Sequence, residues 1–446
     1  MIFNPLNSTP KKILIITYYW PPSGGSGVQR WVKFVKYLVK NGWDPIIYTP
    51  ENPEYPSLDN SLLHEIPKNI TVIKTPIWEP FDLYKKIANR KNPENINAGF
   101  LTEHGKKNKW IEALSIWIRG NFFIPDARKY WIKPSIKFLN NYLNNNSADL
   151  IVSTGPPHSM HMIAQGVKKK TGIPWLADFR DPWTNIDFYS DLKLTRFADR
   201  KHRRLEKNIL RNADQVVCVG ETMAEEMRAL GAKRVAVITN GYDTSDILTS
   251  SKQIDEDKFS IVHIGTLNRS RNPEILWQAL EKLVSINPNA RKKLEIKLVG
   301  KVDINVKNSI KRHGLEKFLN LVPYIEHKDA VHFQAHASIL LLLINNTPNA
   351  KGILTGKMFE YLGAKRPILS IGPVDGDAAK IITSCKAGST YDYKDSNGIL
   401  NFLNEQLNGN QIYHSVGHEK YSRENLTKDL IDLFNSMLHE LQNENK

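Results

Sequence analysis

Three loops of this 446-residue chain combine glycines with basic or hydroxyl side chains, a composition typical of phosphate-binding loops. In the first, Gly24 and Gly25 stand between an aliphatic strand and an amphipathic helix, where backbone N–H groups and the positive helix end face an anion. The pattern from Gly25 is Gly-x-Gly-x-x-Arg, so the third glycine of a dinucleotide fingerprint is missing. A tight turn that requires glycine explains the same residues equally well.

The second loop, Gly265-Thr266-Leu-Asn-Arg269-Ser-Arg271, follows a strand and precedes a helix start of sequence Asn-Pro. Open α/β sheets bind ligands at the carboxyl ends of their strands, and an arginine fork engages two oxygens of a diphosphate. We therefore predict that these four named residues bind a diphosphate. Incidental charge on a surface loop is the alternative.

The third loop begins a helix at Thr355 and Gly356, and Lys357 and Glu360 then share one helix face. A phosphate at the helix end and a carboxylate one turn deeper match the diphosphate and the ribose of a nucleotide. A Walker A loop is excluded, because Met358 stands where Ser or Thr must bind magnesium. The alternative is a Lys–Glu surface pair, which contributes little to stability.

Other polar residues near strand ends are weaker candidates. His158 follows a strand and is a candidate acceptor contact, although a capping or buried histidine is an equally good interpretation. Tyr324 is a candidate neighbour of a base. Asp375 and Asp377 spell Asp-x-Asp, but they stand in a Pro/Gly turn, where aspartates are common for local reasons. We predict no metal site and no cofactor.

Aliphatic runs alternate with helical patterns through both halves, which predicts an α/β protein with two Rossmann-like domains and parallel sheets. Residues 1–246 form the first domain, 247–258 a linker, 259–421 the second domain, and 422–446 a C-terminal amphipathic helix. The candidate strands are Ile13–Thr17, Pro45–Thr49, Thr71–Lys74, Leu150–Ser153, Ile173–Ala177, Gln215–Val219, Val235–Thr239, Ile261–Ile264, Leu294–Val299, Leu319–Val322, Ile339–Ile344 and Pro367–Ile371.

The formal net charge of +15 indicates an anionic partner. Residues 84–140 hold twelve basic and four acidic side chains together with many aromatic ones, and we predict a basic, aromatic helical insertion there. Its aromatic residues are either core under a helical excursion or part of an anionic membrane surface contact. The two cysteines are isolated, and the sequence has no signal-peptide pattern and no apolar run long enough for a membrane helix. We therefore expect a cytoplasmic protein. A peripheral location on the inner face of the cell membrane is the alternative.

Taken in order, several motifs resemble the retaining two-domain glycosyltransferases of the GT-B fold (family 4-like, group 1), which include many bacterial surface-polysaccharide enzymes. They are the Gly24-Gly25 loop, residues 212–219, residues 237–243, Gly265-Thr-Leu-x-x-x-Arg271, and Gly356-Lys357-x-x-Glu360-Tyr-Leu-x-x-Lys-x-Pro367. The resemblance implies an N-terminal acceptor domain and a C-terminal nucleotide-sugar domain, in which Arg271 binds the diphosphate and Glu360 the ribose.

Three positions depart from that family pattern. Thr266 replaces the first basic residue of the diphosphate loop, and Gly352 replaces a glutamate that contacts the donor sugar. Arg269 or Lys357 is a candidate for the missing positive charge. In the first domain, Arg180 and Asp181 stand where the family often has His-Asp.

The resemblance implies a metal-independent, retaining transfer of a sugar from a nucleotide-diphosphate sugar to a lipid-linked or surface-glycan acceptor. Charge develops on the departing diphosphate, so we expect Arg271, Lys357 and the amides near Gly25 and Gly356 to stabilise it, while Asp181 orients or deprotonates the acceptor hydroxyl. A sugar-nucleotide epimerase of the same fold is the alternative enzyme. A basic nucleic-acid-binding protein is the alternative from another class. The basic residues of the run 196–211 alternate with apolar ones, as on one face of a packed helix, and we therefore predict no nucleic-acid partner.

Overall fold

The computed structural model describes residues 10–55, 58–79, 109–247, 257–410, 413 and 415–444. The chain divides into two compact units. The first unit comprises residues 1–239 and 427–446, and the second comprises residues 240–426. Most of the predicted linker, residues 248–256, lies outside the described residues.

The first unit is built on a seven-stranded parallel sheet of order β3-β2-β1-β4-β5-β6-β7. Its central strands are aliphatic on both faces because helices cover both sides of a parallel sheet. The strands are β1 Lys11–Ile16, β2 Trp43–Pro50, β3 Thr71–Thr75, β4 Leu150–Gly155, β5 Trp175–Phe179, β6 Gln215–Cys218 and β7 Val235–Val237. The helices are α1 Ser26–Lys40, α2 Lys109–Phe122, α3 Lys129–Asn145, α4 Ser159–Thr171, α5 Arg196–Asn212 and α6 Glu221–Ala229.

The second unit has a six-stranded parallel sheet of order β10-β9-β8-β11-β12-β13. Its strands are β8 Phe259–Ile264, β9 Leu294–Val299, β10 Leu319–Val322, β11 Ile339–Leu343, β12 Ile368–Ile371 and β13 Gly388–Tyr391. The helices that begin in it are α7 Thr244–Ile247, α8 Glu274–Ile286, α9 Pro288–Lys293, α10 Ile304–Arg312, α11 His327–Ala335, α12 Gly356–Ala364, α13 Asp377–Ser384, α14 Ser396–Leu407 and α15 Arg423–Glu444. Two parallel Rossmann-like sheets confirm the predicted α/β fold class.

Strand order reverses between β1 and β4 in the first sheet and between β8 and β11 in the second. Loops that leave the carboxyl ends of such neighbouring strands run to opposite sides and leave a crevice, the usual place for a ligand in an open α/β sheet. The glycine loop after β1 and the arginine loop after β8 both stand at these positions.

Two strand predictions need correction. The fifth strand runs from Trp175 to Phe179 rather than from Ile173 to Ala177. Pro174, which precedes it, has no N–H and contributes only its carbonyl, which accepts the Ile151 N–H at 2.9 Å. Strand β13 was not predicted, since its sequence Gly-Ser-Thr-Tyr lacks the aliphatic character used to identify the others. It pairs in parallel with β12 at the edge of the second sheet, where less apolar burial is required.

The predicted insertion 84–140 is described only from residue 109, where it forms α2 and most of α3. Part of it is core: Trp131 is buried, stacks on Tyr48 with ring centroids 4.9 Å apart, and donates its indole N–H to Thr75 Oγ1 at 3.1 Å. Other apolar side chains in the same segment are exposed, among them Leu114 and Phe122. The core interpretation is therefore confirmed for Trp131, whereas Phe122 is exposed to solvent.

Helix α15 carries the C-terminal amphipathic pattern, and Phe434 packs in the first unit against Trp43 at a centroid distance of 5.2 Å. Within the described part of the chain, the helices are all too short or too polar to cross a membrane.

Candidate functional site

In the second unit, a lysine side chain lies directly against a glycine at the end of β8. Gly265 has a φ of +112°, and a Cβ added there would lie 2.5 Å from Nζ of Lys357. The left-handed backbone favours glycine at this position, and an added Cβ would also force the end of the lysine side chain to move. The structure brings together two predicted site residues that are 92 positions apart in the sequence.

Arg271 is held beside this lysine by a short 3₁₀ turn, Arg269–Arg271, which Asn268 caps by accepting the Arg271 backbone N–H at 3.2 Å. Its Nε donates to Oδ1 of Asn345 at 2.5 Å. Burial and, to a smaller extent, repulsion from Arg271 lower the pKa of Lys357 to about 8, while Glu360 opposes the shift. Two cations that repel each other at the end of a sheet favour an anionic ligand that would bind both.

Helix α12 is fixed to the sheet next to these cations. Tyr361 Oη accepts the backbone N–H of Ile264 at 3.2 Å, and Glu360 accepts an N–H from the buried side chain of Gln334 at 2.8 Å. Thr355, the N-cap residue, makes no capping hydrogen bond, and its Oγ1 is buried without a hydrogen-bond partner among the described residues. The start of α12 therefore offers Thr355 Oγ1 and, at Gly356, the first backbone amide of the helix.

The other predicted site residues of the second unit are described by their exposure and their partners. Arg269 and Tyr324 are exposed, Tyr324 to 80%. Asp375 forms a surface ion pair with Lys351 at 2.5 Å, whereas Asp377 is buried in the first turn of α13, so the two carboxylates of the Asp-x-Asp motif have different surroundings. Within the described ranges, there is no group of three or more side chains that could hold a metal ion.

In the first unit, the predicted glycine loop contacts Arg180. Gly25 is the N-cap of α1 with a φ of +105°, and Gly24 precedes it. A Cβ added at Gly27, in the first turn, would overlap Nη1 of Arg180. The guanidinium also donates from Nε to the carbonyl of Gly155 at 3.3 Å and from Nη2 to the carbonyl of Pro156. Arg180 thereby connects the ends of β4 and β5 with the start of α1.

Asp181 follows Arg180 and is exposed to solvent. The protein packed around it raises the pKa of its carboxyl through desolvation, Asp187 raises it further, and Arg180 opposes the shift. A carboxylate with a raised pKa and access to solvent has the properties of a general base.

His158 is buried at the N-cap of α4, and its ring stacks on Trp183 with centroids 4.4 Å apart and planes 3° from parallel. Burial, followed by the charges of His161, His202 and Arg180, lowers its pKa well below the usual range, so the ring is neutral at pH 7. This position matches the buried-histidine interpretation, in which His158 packs against the segment that follows Asp181.

A buried ion pair that was not predicted from the sequence supports this side of the first unit. Asp178 and Arg30 are both 1% exposed and lie 2.9 Å apart. Trp31 Nε1 and Thr154 Oγ1 also donate to Asp178, at 2.7 and 2.8 Å. Arg30 donates in addition to the carbonyls of residues 238 and 239. The signal was a single aspartate inside the apolar run that forms β5, because a carboxylate buried in a strand needs a partner.

Residues 100–246 match the family model Glycosyltransferase Family 4. Three of the solved structures that share the fold of the chain illustrate the range of activities. A glycosyltransferase from Rickettsia africae is 13% identical with a TM-score of 0.62, covering 97% of this chain and 99% of that one. A mutant of S. aureus TarM, in complex with Fondaparinux, alpha-GlcNAc-glycerol and UDP, is 12% identical with a TM-score of 0.59, covering 95% and 100%. A candidate UDP-N-acetylglucosamine 2-epimerase from Listeria monocytogenes is 11% identical with a TM-score of 0.54, covering 97% of each chain. No curated protein matches the chain by sequence.

These similarities define the class of protein: the chain has the GT-B fold, as the sequence motifs predicted. Residues 100–246 also match a glycosyltransferase family model, and this match and the fold together support an enzyme that transfers sugars. The fold by itself does not separate a transferase from an epimerase, because the third structure shares it. The family match favours the transferase.

Proposed function

We propose that the chain moves a sugar from a nucleotide-diphosphate sugar to a glycan or lipid-linked acceptor, with retention at the anomeric carbon and without a metal ion. The observation that carries the donor assignment is the pair of cations at the end of β8, where Lys357 lies against Gly265 and Arg271 lowers its pKa. The S. aureus structure named above contains UDP, which agrees with a nucleotide donor for this fold.

On the donor side, the leaving group of such a reaction is a nucleoside diphosphate that gains negative charge as the glycosidic bond breaks. Preorganised cations stabilise this charge more in the transition state than in the ground state. In this proposal Lys357 and Arg271 supply the charge, the Gly356 amide donates to a phosphate oxygen, and Glu360 accepts from the ribose hydroxyls. Thr355 Oγ1, which is buried beside this amide, is a further donor to phosphate.

On the acceptor side, Asp181 orients or deprotonates the acceptor hydroxyl. Its raised pKa and solvent access support this role. Arg180 holds the loop in place through its contacts with residues 155 and 156 and with the first turn of α1.

The donor assignment is tested by titrating the protein with UDP, GDP, CDP, ADP and dTDP in a calorimeter. We expect one of them to bind, and both Lys357→Ala and Arg271→Ala to weaken that binding. Lys351→Ala is the matched control, because this lysine precedes the same helix but pairs with Asp375 at the surface. Full binding by the first two variants would contradict the assignment. Product formed from a sugar nucleotide without acceptor would favour the epimerase.

We further propose that the acceptor is reached at an anionic membrane surface. An exposed apolar surface, here called the aromatic face, joins α2 to the start of α3. Leu114, Ile118 and Phe122 follow one another at four-residue spacing on α2 and are 55%, 37% and 60% exposed. Trp78 and Tyr130 extend the face, with their rings in edge-to-face contact at 4.9 Å.

Lysines accompany the aromatic face. Lys129, Lys133 and Lys137 recur every four residues on α3, and Lys129 lies over the rings of Phe123 and Tyr130 at 5.0 and 4.8 Å. Exposed Trp, Tyr and Phe next to a lysine row suit the interface of an anionic bilayer, where each lysine near the surface contributes about 1 kcal/mol. We assign this face to anionic lipid rather than to a protein partner because of that charge complementarity.

The membrane assignment is tested by flotation with vesicles of phosphatidylglycerol and phosphatidylethanolamine. We expect binding at low salt that Phe122→Ser and Lys133→Glu weaken. Ile286→Ser is the control, because this exposed isoleucine belongs to α8 of the second unit and not to the helices that carry the aromatic face and the lysine row. Equal binding to vesicles of neutral phosphatidylcholine, or none to either kind, would contradict the assignment.

A further inference from the structure

Asn345 follows β11 and lies next to the donor cations, although nothing in its sequence context marks it. Its backbone carbonyl accepts the Tyr393 hydroxyl at 2.9 Å and the Thr347 N–H at 3.1 Å. The backbone of Asn345 is therefore fixed by hydrogen bonds from two other residues. Its side-chain oxygen points to Arg271 and accepts from Nε at 2.5 Å.

A hydrogen bond to Nε restrains the plane of a guanidinium group. Arginine has a long flexible stem, and a restrained plane reduces the freedom that it loses when it binds a ligand. Asn345 and Arg271 meet because β8 and β11 are neighbours in the sheet, so the loops at their carboxyl ends lie side by side.

The chemical type of the group that accepts from Arg271 affects diphosphate binding as much as its position does. A carboxylate at residue 345 would orient Arg271 equally well, but it would also neutralise its charge and compete with a diphosphate. A neutral amide oxygen orients the guanidinium and leaves its positive charge in place. Repulsion from Arg271 helps to lower the pKa of Lys357, which agrees with two positive charges that lie close together.

We infer that Asn345 is a positioning residue that holds the Arg271 guanidinium in place for the nucleoside diphosphate without neutralising it. The inference rests on the proposed donor site and adds to it a residue that acts through Arg271.

The test measures binding of the nucleoside diphosphate that the wild-type protein selects from the five named above, at several pH values between 7 and 9. Asn345→Leu removes the acceptor, and we expect a loss of affinity of about tenfold. Asn345→Asp keeps the acceptor and adds a negative charge. We expect it to weaken binding and to shift the alkaline loss of binding to higher pH, because the new carboxylate raises the pKa of Lys357.

Asn346→Asp is the matched control, because it makes the same change in charge at an exposed neighbour. Tyr393→Phe is a milder variant that removes only the hydrogen bond to the Asn345 carbonyl, and we expect a smaller loss in the same direction. Thermal unfolding of each variant shows whether it is folded.

Wild-type affinity and an unchanged pH profile in both Asn345 variants, while Lys357→Ala still weakens binding, would overturn this inference alone. The same shift in Asn346→Asp as in Asn345→Asp would also overturn it, since the effect would then be general electrostatics. No binding of any nucleoside diphosphate by the wild-type protein would overturn the proposed donor site together with it.

Discussion

Substitution of Gly265 by alanine tests the donor site through its most crowded contact. The added Cβ would lie 2.5 Å from Nζ and 3.0 Å from Cε of Lys357. Non-bonded atoms are most stable at about 3.5 to 4.0 Å, so the ammonium group must move by about 1 Å. At +112°, the φ of Gly265 is also unfavourable for alanine, which costs about 1 to 3 kcal/mol of stability.

The displacement of Lys357 determines the expected effect on binding. A hydrogen bond to a charged group contributes about 1.5 to 3 kcal/mol, so loss of one such contact weakens diphosphate binding by about 2 kcal/mol, or roughly thirtyfold. Calorimetric titration with the nucleoside diphosphate measures the affinity, and urea unfolding measures the stability.

The matched control is Gly314→Ala, in the same unit. Gly314 also has a left-handed backbone, with a φ of +66°, but an added Cβ there meets no atom within 4 Å. We expect this variant to lose about 1 kcal/mol of stability and to bind the nucleotide normally. A folded Gly265→Ala protein with wild-type affinity would refute the argument that Lys357 must occupy this place.

Three further predictions follow from the same contacts. Because the pKa of Lys357 is about 8, its ammonium group loses a proton as the pH rises from 7 to 9. Nucleotide affinity should therefore fall about tenfold over this range, and Lys357→Arg should remove the pH dependence. Asp178→Asn removes the carboxylate that pairs with the buried Arg30 and should cost about 3 to 5 kcal/mol in urea unfolding. Asp199→Asn, in an exposed pair, should cost less than about 1 kcal/mol. Gly27→Ala should displace the Arg180 guanidinium. We expect a lower kcat for sugar transfer and an unchanged donor affinity, and a normal kcat would refute the role of Arg180 in holding the loop.

Several features were predictable from the sequence because they depend on neighbours in the chain. Runs such as Leu294–Val299 are long and aliphatic enough to identify parallel strands, and this strand has the predicted bounds. The loops that contain Gly25, Gly265 and Gly356 were recognisable because a glycine, a strand end and a helix start follow one another within a few residues. The ordered set of these motifs also predicted the GT-B fold.

Other features depend on which strands become neighbours. Lys357 meets Gly265, and Asn345 meets Arg271, only because β11 lies beside β8 in the sheet. In the same way the contact of Arg180 with Gly27 requires the pairing of β1, β4 and β5.

The surroundings of a side chain were also decided by packing rather than by residue type. A histidine after a strand is a plausible ligand or a plausible core residue, and the stack of His158 on Trp183 placed it in the core. Within one segment, Trp131 is buried while Phe122 is exposed, although both are aromatic residues in helices. The sequence by itself determined the elements and the charge of their loops, because hydrogen bonding within an element and hydrophobic periodicity act over a few residues. Only the tertiary structure determined which charges meet and which aromatic residues face water, because these depend on contacts between residues far apart in the chain.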